Sequence, residues 1–250
     1  MIEHDPPAFG EHFADVYDEI YQWYRPTESQ LATIRSHVPA GGRLLEIGAG
    51  TGRIAVPLAE RGVEVIALDA SPSMLKVLEE KAAGLPITTL CADAADFTLD
   101  EPVSAVLAVF NMVTLVGDER HQLNFLRACR KALRTGGALI IETIVPHEAA
   151  LPGTSGIKVR SMSNTQVILE VGTHVAAAQR CDFQYVVLRH GEPVRLMPHR
   201  MRYLWPAQLD ALAADAGLRL VSRCADWRGG EFEESASASH VSIFTPMDEA

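Results

Sequence analysis

The 250-residue chain predicts an α/β fold: a doubly wound, seven-stranded sheet with helices on both faces and an antiparallel β layer inserted after the fifth strand. Three observations predict it. From 43 to 145, short runs rich in Val, Ile, Leu and Ala alternate with helical stretches, and the runs lack the polar alternation of half-exposed strands, as expected for parallel strands covered on both faces. The first run ends in a glycine-rich turn, LLEIGAGTG at 44–52. Between Gly153 and Leu204 the pattern changes to β-rich runs separated by Gly, Pro and polar turns.

The elements follow in order. Residues 11–37 read as helical, with Leu31, Ile34 and Val38 at helical spacing and Pro26 breaking the stretch in two. The first strand leads into Gly48, Gly50 and Gly52 at alternate positions, then onto a helix from Arg53 to Arg61. Glycine suits a place where the backbone turns sharply and approaches a ligand without a Cβ, and the helix beyond presents free N–H groups. EVIALDAS (64–71) is a second strand ending in Asp69, ITTLCADAADF (87–97) a third, and SAVLAVFNMV (104–113) a fourth. A helix ending at Arg134 precedes the fifth, GGALIIETI (136–144). KVRSMSN, TQVILEVGTHVA, CDFQYVVLRHG and PVRLMPHRMRYL make the inserted layer. PAQLDALAADAGL (206–218) is a helix with Pro206 suited to its first turn and Gly217 to its end. LRLVSRCADW and HVSIFTP supply the sixth and seventh strands, joined by a polar loop at 229–239. One domain of four parts results: an N-terminal helical cover at 1–40, a core at 41–150, the inserted cover at 151–204 and the C-terminal helix and strands at 205–250.

A hydrophobic content of 48% is enough to bury a full core. The net charge of −10 argues against nucleic acid as a partner, since phosphate binding rests on clustered Lys and Arg. No apolar run reaches the roughly 18–20 residues that span a bilayer. The start, MIEHDPPAFGEHF, has no basic-then-apolar signal pattern, so a cytoplasmic location is expected. Cys91, Cys129, Cys181 and Cys224 are widely spaced, with no C-x-x-C pair and no His at ligand spacing. Reduced thiols are expected, and no metal site.

Dinucleotide enzymes use a similar turn as G-x-G-x-x-G, but here the third glycine would fall where Arg53 stands. G-x-G-x-G preceded by Glu46 resembles the first motif of the class I, Rossmann-like S-adenosylmethionine-dependent methyltransferases. Asp69, Asp93-Ala94, the fourth-strand run and GGALIIETI follow in that family's order. DVYDEIY (15–21) resembles a segment that small-molecule members fold over the cofactor, and residues 201–223 resemble the last helix and sixth strand. Within that family the chain resembles bacterial N,N-dimethyltransferases of nucleotide-linked amino sugars, and more broadly small-molecule methyltransferases of specialised metabolism.

The resemblance implies S-adenosylmethionine as cofactor and S-adenosylhomocysteine as product. Glu46 then acts on the methionyl ammonium, Gly48, Ala49, Gly50 and Gly52 form the turn beneath, and Asp69 holds the ribose hydroxyls. Asp93 and Ala94 meet the adenine, Tyr17 belongs to the cover, and Arg25 is the cation for the methionyl carboxylate. Ala70, Met74, Val109 and Phe110 complete the cofactor-binding set. The resemblance also implies a small-molecule methyl acceptor, with neither nucleic acid nor membrane as partner. The inserted strands would cover the substrate, or only shield one face of the sheet, and would contribute contacts to a possible homodimer.

S-adenosylmethionine carries an already activated methyl group, so the protein must hold a nucleophile in line and exclude water. An amine acceptor needs a free lone pair and a hydroxyl usually needs a base. Both N and O acceptors stay open. His147 and Glu148 follow strand five at the edge where substrate should sit, although a solvated loop His is an equal account. Asn111 offers an amide to an acceptor or caps its loop; His12, in the N-terminal cover, is a further catalytic candidate, and His121 reads as exposed. The subgroup's histidine after strand four is missing, Met112, Val113, Leu115 and Val116 making that place apolar, and Phe9 stands where a tyrosine is usual. Both departures favour a less polar acceptor. Trp23, Tyr24, Trp205 and Trp227 are candidates for an aromatic wall. A nicotinamide-dependent oxidoreductase is the rival reading, opposed by the glycine spacing and the lack of a Tyr-x-x-x-Lys pair. A non-catalytic cofactor-binding protein is the other.

Overall fold

A computed structural model describes residues 5–147, 151, 153 and 155–247. Glu148 lies outside the described residues. The N-terminal stretch is three short helices, α1 (Ala8–Phe13), α2 (Tyr17–Ile20) and α3 (Glu28–Ser36). The sequence suggests two helices here. A second break falls at residues 14–16, and after Pro26 the Thr27 hydroxyl starts α3 by accepting the Gln30 N–H at 3.2 Å.

The core then alternates β1 (Arg43–Ile47), α4 (Ala55–Glu60), β2 (Glu64–Asp69), α5 (Pro72–Lys81), β3 (Ile87–Cys91), β4 (Val103–Ala108), α6 (Met112–Leu115), α7 (Glu119–Ala132) and β5 (Leu133–Ile144). Helix α4 begins two residues later than its sequence suggests. Gly48, Gly50 and Gly52 all take positive φ (70°, 55° and 86°), so helical geometry cannot begin until the last has passed. Helix α7 ends two residues before Arg134, because Leu133 is already extended (φ −83°, ψ 136°).

After the core come the inserted strands β6 (Ser155–Met162), β7 (Gln166–Val175), β8 (Arg180–Arg189) and β9 (Arg195–Arg202), then α8 (Pro206–Asp215), β10 (Leu218–Cys224) and β11 (Ser239–Pro246). The main sheet has the order β3-β2-β1-β4-β5-β11-β10. Its first five strands are parallel; β11 runs antiparallel between β5 and β10. Neighbouring residues of a strand bury on opposite sides. Leu44, Val65, Ala67 and Leu107 pack with α3 and α4, whereas Leu45, Leu68, Val106 and Ile141 pack with α7 and α8. Two covered faces explain why these strands read as continuous apolar runs.

Strand order reverses between β1 and β4, so a crevice opens above their carboxyl ends. Strands β6-β7-β8-β9 form a separate antiparallel meander that closes over that crevice together with α1 and α2. Its inner face contributes Ile168, Tyr185, Val187 and Met197 to a cluster with Phe13, Val16, Tyr17 and Ile20. Ion pairs fasten the same junction: Arg195 with Asp15 at 2.6 Å and Arg189 with Glu19 at 2.9 Å.

Candidate functional site

One cavity of about 570 Å³ runs from the glycine turn to the underside of the inserted sheet. At the β1 end, the N–H groups of Gly48 and Ala49 bind the Leu68 carbonyl at 2.8 and 3.0 Å, folding the turn back against β2. A Cβ on Gly48 would stand 2.4 Å from the Met112 sulfur. Asp69 is held by the N–H of Gly50 at 2.8 Å and of Ser71 at 2.9 Å, and burial pushes its carboxyl above the usual range despite those bonds. Glu46 is fully buried. Desolvation raises its pKa to about 8, the nearby Arg53 opposing, and its Oε2 has no hydrogen-bond partner.

Arg53 lies across the cavity's floor. Its guanidinium sits 4.4 Å from the centre of the Tyr24 ring and 5.0 Å from that of Phe110, while Nε and Nη1 are buried without hydrogen-bond partners. A cation with two unfilled N–H positions thus stands beside a buried carboxyl with one unfilled oxygen.

Past β4, Phe110 and Asn111 take left-handed backbone angles in succession (φ 57° and 65°), a strained arrangement for non-glycine residues. Strand β5 holds them there. Glu142 accepts the Phe110 N–H at 3.2 Å, and Asn111 Oδ1 accepts the Ile144 N–H at 2.9 Å and the Thr143 hydroxyl at 3.2 Å. Glu142 also accepts the Trp227 indole N–H at 2.8 Å and the Tyr24 hydroxyl at 3.2 Å, joining the C-terminal loop and the N-terminal cover at one carboxylate.

The far wall is the inserted sheet, where Glu170, Phe183, Tyr185 and His199 face the cavity. Arg160 gives two hydrogen bonds to Glu170 Oε2, at 2.6 and 3.1 Å. The Tyr21 and Tyr185 hydroxyls are 3.0 Å apart. His199 stacks on Phe183 (4.9 Å, 11°), and burial pulls its pKa down to about 4, leaving it neutral.

A family model described as "Methyltransferase domain" matches residues 44–137. The structure of the CcbJ methyltransferase from Streptomyces caelestis is 33% identical, with a TM-score of 0.86 over 98% of this chain and 100% of that one. The chain belongs to the class I S-adenosylmethionine-dependent methyltransferases. The cypemycin N-terminal methyltransferase of a Streptomyces species is 31% identical over 145 residues, 58% of this chain and 59% of that protein. The chain spans little more than half the length of the first curated relatives it matches. SAM-bound CalS10 of Micromonospora echinaspora, an amino pentose methyltransferase, shares the fold at 20% identity (TM-score 0.68, 93% of this chain and 97% of that one).

The methyltransferase brings most of the residues singled out in its sequence to this cavity. Tyr17, Glu46, Gly48, Ala49, Gly50, Asp69, Ala70, Met74, Asp93, Ala94, Val109, Phe110 and Asn111 all line it. Gly52 shapes the turn without lining the cavity; it packs toward Leu78 and Val56. Arg25 is exposed and does not line the cavity; the cation in place is Arg53, which the sequence shows only as the residue breaking a glycine pattern. His12 is exposed, and its carbonyl accepts Arg195 at 2.9 Å. His147 packs edge-on to Trp205 (6.0 Å between ring centres), away from the cavity lining. His121 serves α7, its N–H and ring both bonded to Asp118. Sequence reasoning missed Glu142, Glu170 and His199, which sit mid-strand where alternation alone cannot tell a cavity wall from a core.

Proposed function

We propose that this protein transfers a methyl group from S-adenosylmethionine to a nitrogen of a small metabolite. The observation that carries the reading is the pair at the cavity's β1 end, the buried Glu46 carboxyl with its Oε2 unfilled and the Arg53 guanidinium with Nε and Nη1 unfilled. An amino-acid moiety presents an ammonium and a carboxylate, which these two groups complement. Asp69, at the end of β2, suits a ribose diol, and Ala70, Met74 and Ala94 make an apolar slot for a purine. The residues present therefore fit the cofactor. When bound, it supplies a methyl group on a positively charged sulfur, with no need of protein help for the leaving group.

What the chain contributes is placement and the exclusion of water. Phe110 and Asn111, locked by β5, form the edge of the cavity between the turn and the inserted sheet, and Tyr21 packs on Phe110 at 5.2 Å from above. The amine nitrogen forms its new N–C bond as the C–S bond breaks, the electron pair of that bond staying on sulfur. Nitrogen as the acceptor atom is supported by relatives named for N-methylation, including the cypemycin N-terminal methyltransferase. An amino sugar is the narrower reading. Met112, Leu115 and Val116 on the cavity wall favour an amine with a less polar body.

The inserted strands act as substrate cover in this proposal. Their outer face also supports a homodimer: Val159 and Met162 of β6 are 61% and 75% exposed, and Leu196 of β9 is 59% exposed. Among the described residues no helix is long and apolar enough to cross a membrane, and we place the enzyme in the cytoplasm. Calorimetric titration with S-adenosylmethionine, S-adenosylhomocysteine and NAD tests the central reading. Micromolar binding of the first two and none of NAD is expected; binding of NAD alone would overturn it.

A further inference from the structure

The underside of the inserted sheet carries a built recognition feature. Across β6, β7, β8 and β9 one register row reads Gly156, Gly172, Phe183, His199, and the next reads Lys158, Glu170, Tyr185, Met197. Two facing glycines leave the first row without side chains at one end, with a stacked Phe183–His199 platform at the other. Directly beside that notch lies Glu170, only 6% exposed. A register shift between Val159 and Ser161 accompanies the contact of Arg160 with it, and both guanidinium bonds land on Oε2. Oε1 makes no hydrogen bond among the described residues, although Glu170 lines the cavity.

An unfilled carboxylate oxygen open to the cavity is a ready acceptor for a ligand's N–H. The surroundings select which donor. Arg160 already balances the charge of Glu170; Lys158 is its exposed cross-strand neighbour; Arg200 on the same wall is paired with Asp182 at 2.6 Å; and His199 is neutral. The local balance is positive before a cofactor with a sulfonium enters. A further cation is therefore disfavoured, whereas an uncharged amine N–H is not. An uncharged amine is also the form that has a lone pair to donate.

Building on the methyltransferase reading above, we propose that Glu170 is the residue that orients the acceptor. Its Oε1 accepts a hydrogen bond from an N–H of an uncharged amine seated in the Gly156–Gly172 notch, with the apolar body of that amine on the Phe183–His199 platform. The nitrogen lone pair stays free to attack, and the proton on the methylated nitrogen is released afterwards to water.

The test uses the full chain loaded with S-adenosylhomocysteine, at alkaline pH where simple amines are largely uncharged. N-methylbenzylamine and N,N-dimethylbenzylamine are the probes; they differ in the single N–H that Glu170 would read. Wild type should bind the first about ten-fold tighter. The paired variant Glu170→Leu, Arg160→Leu removes the whole ion pair and so leaves no stranded charge. It should bind S-adenosylhomocysteine as wild type does and hold the two amines equally. Glu170→Gln, which keeps an acceptor oxygen, should recover part of the preference. Equal binding of the amines by wild type, or a preference that survives in the paired variant, overturns the proposal. Failure of wild type to bind S-adenosylhomocysteine would instead sink the methyltransferase reading on which it rests.

Discussion

Glu46 is expected to make cofactor binding a proton-releasing event. In the free protein its carboxyl is fully buried, its Oε2 is unpartnered, and desolvation lifts its pKa to about 8 from 4.5. At pH 7 it therefore holds its proton in about nine molecules of ten. An ammonium brought beside it favours the ionised form and pulls the pKa back toward the ordinary carboxylate range. Binding at pH 7 should then release about 0.9 proton from this group. The assay is calorimetric titration with S-adenosylhomocysteine in two buffers of different ionisation enthalpy, wild type against Glu46→Gln. The difference in proton release between them should approach one at pH 7 and vanish well above pH 8. Identical buffer dependence in the two proteins would refute the reasoning. Stability carries the opposite sign to affinity. A folded-state pKa above the unfolded value stabilises fully below pH 4.5, and that contribution is lost as pH rises through about 8. The shift corresponds to at most about 5 kcal/mol, so urea midpoints should fall across this window in wild type and much less in Glu46→Gln.

Four further outcomes are expected. Arg53→Met removes the cation stacked on Tyr24 and Phe110 and should weaken S-adenosylhomocysteine binding by ten-fold or more, the worth of a charge-assisted contact; unchanged calorimetric affinity would return that role to Arg25. Asp69→Ala should likewise lower affinity for the nucleoside end, and equal affinity for the variant would rule out the ribose contact. Gly48→Ala forces a side chain onto a backbone at φ 70° and should cost about 1–2 kcal/mol, read as a lower urea midpoint; an unshifted midpoint would contradict the strain. His147→Ala should leave turnover within about two-fold of wild type, since its ring packs on Trp205 outside the cavity lining, whereas a large loss confined to turnover would restore it as a base.

Legibility in the sequence followed the range of the interaction involved. The glycine turn, Asp69 and the apolar parallel strands are written locally: each is a residue type demanded by its own backbone or by burial on both faces, and each is found where the pattern places it. The inserted meander was legible for the same reason, since turn residues separate its strands. Which cation faces the cavity was not. Arg25 and Arg53 are both single arginines beside recognisable segments, and only the stacking of Tyr24 from the N-terminal cover and Phe110 from the core decides that Arg53 is the one turned inward. The same holds for Asn111. In sequence its amide looks available to a ligand, yet Oδ1 is already committed to β5, 32 and 33 residues away, and fixes a left-handed pair of residues instead. Glu170 is the extreme case: an acid in a strand of otherwise ordinary alternation becomes informative only because a register shift accompanies an arginine on one of its oxygens while the other is left unpartnered. On the proposal above, acceptor selectivity rests on contacts between the core and the inserted layer and is separable from the cofactor turn, which other residues build.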